Sequence, residues 1–168
     1  SGLNVAISAI EAGEWKSAEA YARRIFAQPE LANALDHFAL HSYWSSADEK
    51  RAFVQAMQRL NPDLPVWMSE WTEMKEGRDY GMDSALVLAN TVHDDLTIGG
   101  VVSWQYWIAV SKYDFRDGLL YTDGASDQIA ETKRLWALGN YSRFVRPGAV
   151  RIGADSSNPL VRVSAYRD

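Results

Sequence analysis

Glu70 is the residue whose setting in this 168-residue sequence most strongly indicates chemistry. It ends a short apolar run that follows Pro65, and it lies between Trp67 and Trp71. A carboxylate among aromatic side chains is costly unless it is hydrogen-bonded, paired or needed for a reaction. In that position it suits a nucleophile or a general acid or base. The alternative is a structural glutamate that pairs with an arginine or caps a loop.

Three further polar side chains are candidates for the same site, and a fourth, Glu73, lies near it in sequence. His41 and Tyr43 are two residues apart, so they share one face of a strand and could bind a sugar hydroxyl or orient a carboxylate. A histidine at a strand end is equally often a satisfied core residue. Glu11 follows the first predicted strand and is retained as a second acid, although a loop role is more common. Glu73 is expected to be solvated.

Aromatic residues are unusually frequent, with 7 Trp and 8 Tyr. Tryptophan is enriched roughly fourfold over its average usage. Large aromatic side chains fill cores, or they line clefts for ligands with flat apolar faces such as sugar rings. Composition alone favours core filling. Trp104 and Trp107 have opposite parity, so we expect Trp107 in the cleft and Trp104 under the helices, with the reverse assignment open.

Charge and composition exclude several classes of function. A net charge of −5 and a pI near 5.2 argue against nucleic acid and anionic membranes as partners. No apolar run approaches the ~20 residues of a membrane span. The absence of cysteine excludes disulfides and thiolate metal sites. Adjacent helical residues point apart, so His93-Asp94-Asp95 predicts a solvated helix end rather than a metal site. No signal peptide is visible, and neither a metal nor an organic cofactor is expected.

Strand and helix patterns alternate along the chain. Period-two or continuous apolar runs predict strands, and apolar residues at helical spacing between capping and breaking residues predict helices. The predicted strands are 3–8, 38–43, 66–71 and 101–107, and the predicted helices are 18–28 from an N-cap at Ser17, 46–60, 82–96 and 128–144. A long loop is expected at 111–127. After a boundary at 147–148, residues 149–153 and 160–166 predict antiparallel β-structure.

This order predicts an α/β fold with a parallel sheet. A small open sheet and one half of an eight-unit barrel both fit, but no G-x-G-x-x-G or P-loop supports a nucleotide fold. A complete barrel needs ~250 residues, and barrel chemistry lies at the C-terminal ends of the strands. The candidate residues cluster at such ends. Strand alternation would direct Val66, Met68 and Glu70 to the barrel axis, with Trp67 and Ser69 towards the helices.

The ordered motifs of the chain resemble glycoside hydrolase family 30. The matching runs are His41-Ser42-Tyr43, Trp67-Met68-Ser69-Glu70, Trp104-Gln105-Tyr106-Trp107, and Leu138-Gly139-Asn140-Tyr141-Ser142-Arg143-Phe144-Val145-Arg146-Pro147-Gly148. The last run is the most specific of these motifs. Members of this family are retaining enzymes with a (β/α)8 TIM barrel and an attached β-sandwich side domain.

The resemblance implies a role for each matching residue. Glu70 corresponds to the nucleophile on the seventh barrel strand, His41 and Tyr43 to active-site residues on the sixth, and Trp107 to an aromatic residue of the sugar subsite on the eighth. Trp104 and Trp71 are included among the substrate-binding residues. A tryptophan directly after the nucleophile, as Trp71 is, makes the chain most similar to the endo-β-1,6-galactanase-like members. The expected substrate is a β-linked glycan, and the expected location is extracellular or periplasmic.

The resemblance also implies that the general acid/base carboxylate lies upstream, at the end of a fourth strand. Residues 1–147 would then be the C-terminal half of the barrel, strands five to eight, and 148–168 the start of the side domain. We expect such a fragment to be inactive alone and to need the N-terminal half, or to self-associate through exposed strand edges. A non-catalytic carbohydrate-binding module and an open sheet binding a phosphorylated ligand remain alternatives.

Overall fold

The computed structural model describes residues 5–126 and 128–168. They divide into two compact units. The first contains the chain up to Thr72 together with Asp94–Trp107. The second contains Glu73–His93 together with the chain from Ile108 onward. The helices are α1 Trp15–Phe26, α2 Pro29–Ala32, α3 Ala47–Leu60, α4 Met82–Thr97 and α5 Lys133–Ser142. The strands are β1 Ser8–Ala12, β2 His37–His41, β3 Val66–Glu70, β4 Ser103–Trp104, β5 Val110–Ser111, β6 Leu120–Thr122, β7 Ile129–Glu131, β8 Val150–Ile152 and β9 Ala165–Arg167.

The first unit is built on a parallel sheet in the order β1-β2-β3-β4, as the alternating pattern predicts. Helices α1 and α3 pack against each other and against this sheet. Trp15 of α1 meets Phe53 of α3 at 5.2 Å between ring centroids, and Phe38 of β2 lies 5.5 Å from the same Phe53 ring. All three rings are fully buried, so they form the centre of the core between the sheet and its helices.

The start of α3 was predicted correctly, where a side chain caps the helix, and the start of α1 wrongly, where none does. The Ser46 side chain accepts from the Glu49 backbone N–H, and the Glu49 carboxylate accepts from the Ser46 N–H, a complete capping box for α3. By contrast, the predicted N-cap at Ser17 is wrong. Helix α1 begins at Trp15 after Glu14, and the Ser17 hydroxyl donates to the Glu14 carbonyl from within the first turn. The helix begins before Ser17 because Trp15 packs into the core from its first turn.

Two strands differ most from their predicted bounds. The predicted strand 3–8 lies too early, because β1 runs from Ser8 to Ala12; its first two predicted residues, 3 and 4, lie outside the described residues. In the predicted strand 101–107, only Ser103 and Trp104 are strand residues in register with β3. The backbone N–H groups of Val102 and Gln105 also donate to the Val66 and Met68 carbonyls of β3, and Gly100 has a φ of 64°.

The predicted orientation of β3 is wrong for Val66, Trp67, Met68 and Ser69, because Val66 is the register partner of Phe38. Met68 pairs in register with Leu40 and is fully buried on the helix-covered face, which Phe38 also occupies. Trp67 and Ser69 therefore face the other way. The register shifts by one residue after Leu40, so that His41 pairs with Glu70 rather than with Ser69. A local irregularity of this kind re-aims side chains at a strand end and is invisible to simple alternation.

The second unit contains structure where a loop was predicted. Strands β5, β6 and β7 form a small sheet within the predicted loop 111–127 and the first residues of the predicted helix 128–144, so α5 begins only at Lys133. The fully buried Arg134 donates to the Gly118 carbonyl, the Ser84 hydroxyl and the Tyr121 hydroxyl, which fixes this sheet. Strands β8 and β9 pair antiparallel, as predicted, but the second strand is confined to Ala165–Arg167 rather than 160–166.

The prediction of a solvated helix end at residues 93–95 is wrong for Asp95. Its carboxylate is fully buried and lies 2.7 Å from the Lys50 ammonium of α3. It also accepts from the Ser42 hydroxyl at 2.8 Å and from the Trp104 indole N–H at 2.8 Å. The Ser42 hydroxyl in turn accepts from the Trp15 indole at 2.9 Å. A buried polar network therefore supports the strand ends from the helix side.

Candidate active site

Three strand ends bring the candidate residues together at one edge of the parallel sheet. His41 ends β2 and Glu70 ends β3, and the two residues are register partners. Glu11 is the penultimate residue of β1, the next strand outward. Because parallel strands present their C-terminal ends at the same edge, residues 30 to 60 positions apart in the chain become neighbours there.

Tyr43 holds the carboxylate of Glu70 by a direct hydrogen bond. Its hydroxyl donates to Glu70 Oε1 at 3.0 Å, and its side chain is buried. Burial, followed by the hydrogen bond to the Glu70 carboxylate, raises the pKa of the Tyr43 phenol well above its ordinary value. The phenol therefore stays protonated and remains a donor to Glu70 throughout the neutral range.

This pKa shift predicts a pH-dependent stability. A phenol whose folded pKa lies above its unfolded value of about 10 contributes stability that is complete below pH 10 and is lost as the pH rises further. We expect the difference in unfolding free energy between wild type and Tyr43→Phe to shrink from pH 9 to pH 11, measured by urea denaturation. Tyr21→Phe, at an exposed site on α1, is the control. A difference that does not change with pH would contradict the assignment.

His41 lies between two carboxylates. Its Nε2 is 3.0 Å from Glu11 Oε2, and its Nδ1 is 3.7 Å from Glu70 Oε1. The ring also meets the Tyr43 ring edge-on, with centroids 5.7 Å apart. The Ser69 hydroxyl donates to the same Glu11 oxygen. Glu11, His41 and Glu70 thus form a continuous polar line across three strands, with Tyr43 at its inner end.

An aromatic cluster lies beside Glu70. Trp71, Trp104 and Tyr106 contact one another, with ring centroids 6.2 to 6.4 Å apart. Trp104 donates to Asp95 of α4, which agrees with its predicted position towards the helices. Trp71 is only 6% exposed, so it supports its neighbours in this structure. Trp107 is 49% exposed, as an indole available for stacking must be. The substrate contacts of all three tryptophans remain predictions.

Sequence reasoning did not single out Trp44 or Ser69, and it did not predict the contact of Glu11 with His41. Trp44 is 73% exposed and has a φ of 48°, the left-handed region that a large side chain rarely adopts. Its ring lies 5.5 Å from the Tyr43 ring. The signal for Trp44 was its place directly after the His-x-Tyr pair. Ser69 was assigned to the wrong face, and Glu11 lies at a register shift that the sequence does not reveal.

Glu73, three residues after Glu70, has a structural role in the second unit. Its carboxylate lies 2.9 Å from Arg116 Nη1 and accepts from the Ser84 hydroxyl at 2.5 Å, with its side chain only 14% exposed. The expectation that Glu73 is solvated is therefore wrong, because Arg116, which is 43 residues away in sequence, pairs with it. Within the described residues, no cluster of three His, Asp or Glu side chains could hold a metal ion.

Comparison with known proteins identifies the family. The model of O-glycosyl hydrolase family 30 matches residues 15–121, well over half of the chain. This chain belongs to glycoside hydrolase family 30. The matched segment contains His41, Tyr43 and Glu70 but not Glu11, and the predicted family is confirmed.

Solved structures support the same fold for nearly the whole chain. The catalytic domain of GH30 xylanase C from Talaromyces cellulolyticus is 22% identical, with a TM-score of 0.80 over 99% of this chain and 37% of that one. The GH30 subfamily 8 xylanase Xyn30A from Clostridium acetobutylicum is 25% identical, with a TM-score of 0.73 over 98% of this chain and 38% of that one. The family 30 chain thus has a mixed α/β fold like those catalytic domains, and it spans well under half of their length.

A third structural relative is described as an exported protein. A conserved exported protein from Bacteroides fragilis is 25% identical, with a TM-score of 0.66 over 84% of this chain and 35% of that one. In the described part of this family 30 chain, no helix has the length and apolarity needed to cross a bilayer. These comparisons show the family and the fold. The activity of this chain must be argued from its site.

Proposed function

We propose that this chain provides the nucleophile half of a retaining β-glycosidase active site, with Glu70 as the nucleophile. The observation that carries the proposal is the hydrogen bond from Tyr43 to Glu70 at 3.0 Å, at a strand end where His41 faces the same carboxylate. This arrangement holds Glu70 in one orientation while its side chain stays one-third exposed, open to a substrate. Membership of family 30, which consists of glycoside hydrolases, supports this chemistry.

The proposed reaction is that of a retaining glycosidase. A Glu70 oxygen attacks the anomeric carbon of a β-linked sugar, and the glycosidic bond breaks as its oxygen takes a proton from a general acid. Glu70 becomes a neutral ester in the glycosyl-enzyme intermediate. Water, deprotonated by the same acid/base group, then attacks the anomeric carbon and releases the sugar with its β configuration retained. Tyr43 keeps the attacking carboxylate in place through the first step.

Glu11 is poorly placed to be the required second carboxylate. A retaining pair is separated by ~5–5.5 Å, with the scissile bond between the two groups. Here the His41 ring occupies the space between Glu11 and Glu70, with one nitrogen towards each. The proposal therefore assigns the general acid/base to a carboxylate outside the described site, on an adjoining strand.

The sheet itself offers the place for such a strand. Strands β1 and β4 are its two edges, and an unpaired edge presents free backbone N–H and C=O groups. We propose that residues 1–147 correspond to strands five to eight of a (β/α)8 barrel, that 148–168 begin a β side domain, and that an N-terminal barrel half completes the site. In its absence, self-association through these edges is the expected alternative.

The proposed substrate is a β-linked poly- or oligosaccharide outside the cytoplasm. Two structural relatives are xylanases, and one is an exported protein. The likeness of Trp71 to galactanase-like members still makes a 1,6-galactan an alternative substrate. No metal or organic cofactor enters the proposed chemistry, since both roles in it belong to carboxyl groups.

A substrate whose leaving group departs without a proton tests the nucleophile independently of the missing general acid. With 2,4-dinitrophenyl β-glycosides of xylose, glucose and galactose, we expect the chain to release about one dinitrophenolate per molecule in a burst with one of them, because the phenolate departs unprotonated. Turnover of the corresponding glycans should be undetectable. Rapid multiple turnover of a glycan would contradict the incomplete site, and absence of a burst with all three sugars would contradict the role of Glu70.

A non-catalytic carbohydrate-binding module is the second candidate, favoured by the exposed indoles of Trp44 and Trp107. Such a protein would bind sugars reversibly and give no burst with any activated glycoside. Measurements of sugar binding and of the dinitrophenolate burst on the same samples thus distinguish the glycosidase from the binding module. A burst favours the glycosidase, and saturable binding without a burst favours the module.

Trp107 is predicted to contact the sugar under either candidate function. We expect Trp107→Ala to weaken the binding of xylotriose, gentiotriose or β-1,6-galactotriose, whichever binds, by roughly tenfold, the loss of one aromatic contact of about 1.4 kcal/mol. Isothermal titration calorimetry measures this change. Trp136→Ala, at a similarly exposed site on α5 (58% against 49%), is the matched control. Equal affinity of Trp107→Ala and wild type would remove Trp107 from the site.

A further inference from the structure

We propose that Glu11 is a positioning residue that fixes which nitrogen of His41 carries the proton and holds the ring against Glu70. This inference rests on the proposed function only for its kinetic consequence, because the contacts themselves do not depend on what Glu70 does. Glu11 lies outside the segment matched by the family model. Its role must therefore be argued from geometry.

The first step is the bond between Glu11 and His41. Glu11 Oε2 lies 3.0 Å from His41 Nε2. An ionised carboxylate only accepts hydrogen bonds, so Nε2 must carry the proton in this contact. A neutral His41 is then held as the Nε2–H tautomer, and an imidazolium would keep the same bond and add a proton at Nδ1. In both states the Glu11 carboxylate fixes the outer edge of the ring.

The second step is that Glu11 is itself held in place. The Ser69 hydroxyl of β3 donates to the same Oε2, so the carboxylate joins β1, β2 and β3 although half of the side chain is exposed. Register between β1 and β2 shifts between Ile10 and Ala12, which makes Glu11 the irregular residue of the strand. Its φ of 61° lies in the left-handed region, and its side chain lies on the face where it contacts His41.

The third step is the effect on Glu70. With Nε2 bound to Glu11, the opposite nitrogen Nδ1 faces Glu70 Oε1 at 3.7 Å. Tyr43 packs edge-on against the same ring and donates to the same Glu70 oxygen. The groups that face His41 are therefore Glu11, Glu70 and Tyr43. Without the Glu11 carboxylate, the ring loses its outer partner and is free to rotate about its side-chain bonds, and Nδ1 no longer faces Glu70 reliably.

The test reads the His41 ring directly by NMR. Long-range 1H–15N correlation of the 15N-histidine-labelled chain distinguishes the two neutral tautomers and the imidazolium, and His41→Asn assigns its signals among the three histidines. Wild type should show His41 with Nε2 protonated. Glu11→Met should give a tautomer mixture, and Glu30→Met, an exposed acidic site on α2, should leave the pattern unchanged. An Nδ1–H tautomer in wild type, or an unchanged pattern in Glu11→Met, overturns the proposal.

A kinetic measurement on the same variants gives the consequence for Glu70. The dinitrophenolate burst should slow by about tenfold or more in Glu11→Met, the loss of one charge-assisted hydrogen bond. Glu11→Gln, whose amide oxygen can still accept from Nε2, should recover part of the rate. A changed NMR pattern without any wild-type burst would support the positioning role and reject the nucleophile. A wild-type burst that Glu11→Met does not slow would reject the effect of Glu11 on Glu70.

Discussion

Glu70→Gln should abolish the dinitrophenolate burst, with a fall in rate of about four orders of magnitude or more. Removal of the nucleophile from a covalent mechanism costs on this scale because no neighbouring group replaces the bond that it forms. An amide keeps the size of the side chain and can still accept from Tyr43, so the loss reports the missing nucleophile rather than a collapsed site. Stopped-flow absorbance of the released phenolate measures the burst rate.

Chemical rescue makes the expected result specific to Glu70. In Glu70→Gly, azide should enter the vacated space and attack the anomeric carbon from the side that the carboxylate occupied, giving an α-glycosyl azide from a β-glycoside. Glu30→Gln is the control and should keep the wild-type burst. A burst that survives Glu70→Gln, or a rescued product with the β configuration, would show that Glu70 does not attack the sugar.

Lys50→Met should lower the free energy of unfolding by about 3–5 kcal/mol, the largest stability effect that the structure predicts. Lys50 and Asp95 are both buried, and their charged groups lie 2.7 Å apart. Removal of the ammonium leaves a buried carboxylate that keeps the Ser42 and Trp104 donors but has lost its positive partner. Urea denaturation of Lys50→Met against Lys16→Met, an exposed site on α1, measures the loss.

The pH dependence of this loss identifies the uncompensated charge. Burial raises the pKa of the Asp95 carboxyl, and Lys50 is the largest of the groups that oppose this rise. Without Lys50 the folded pKa rises further above the unfolded value, so the stability of the variant is greatest at low pH and falls as the pH increases. The cost should therefore be greater at pH 8 than at pH 5. Lys50→Met/Asp95→Asn should recover much of the loss, and an equal cost at both pH values would contradict the account.

The sequence predicted the features that local rules control. The capping residues of α3 placed that helix, and the alternation of strands and helices predicted a parallel sheet with Glu70 and His41 at one edge. Tyr43 could be grouped with them because residues two apart share a face of a strand. These inferences need only spacing and residue type, and the structure places all three side chains in contact.

Features that depend on distant partners could not be predicted. The burial of Asp95 depends on Lys50, and the pairing of Glu73 depends on Arg116, both more than forty residues away in sequence. The register shift after Leu40 brought Glu70 rather than Ser69 opposite His41, and the shift beside Glu11 accompanies the contact of Glu11 with His41. Strands β5 to β7 contain only two or three residues each, too few for an alternating pattern to be recognised.

Covalent trapping tests the central claim, that Glu70 is the nucleophile, most directly. A 2-deoxy-2-fluoro-β-glycosyl fluoride needs no general acid, because fluoride departs unprotonated, and the 2-fluoro group slows the hydrolysis of the intermediate. After incubation with the xylosyl, glucosyl and galactosyl fluorides, mass spectrometry of the intact chain and of its peptides should show one fluoroglycosyl group on Glu70 with one of them. A label on another carboxylate such as Glu11, or no label with any of the three, would contradict the account.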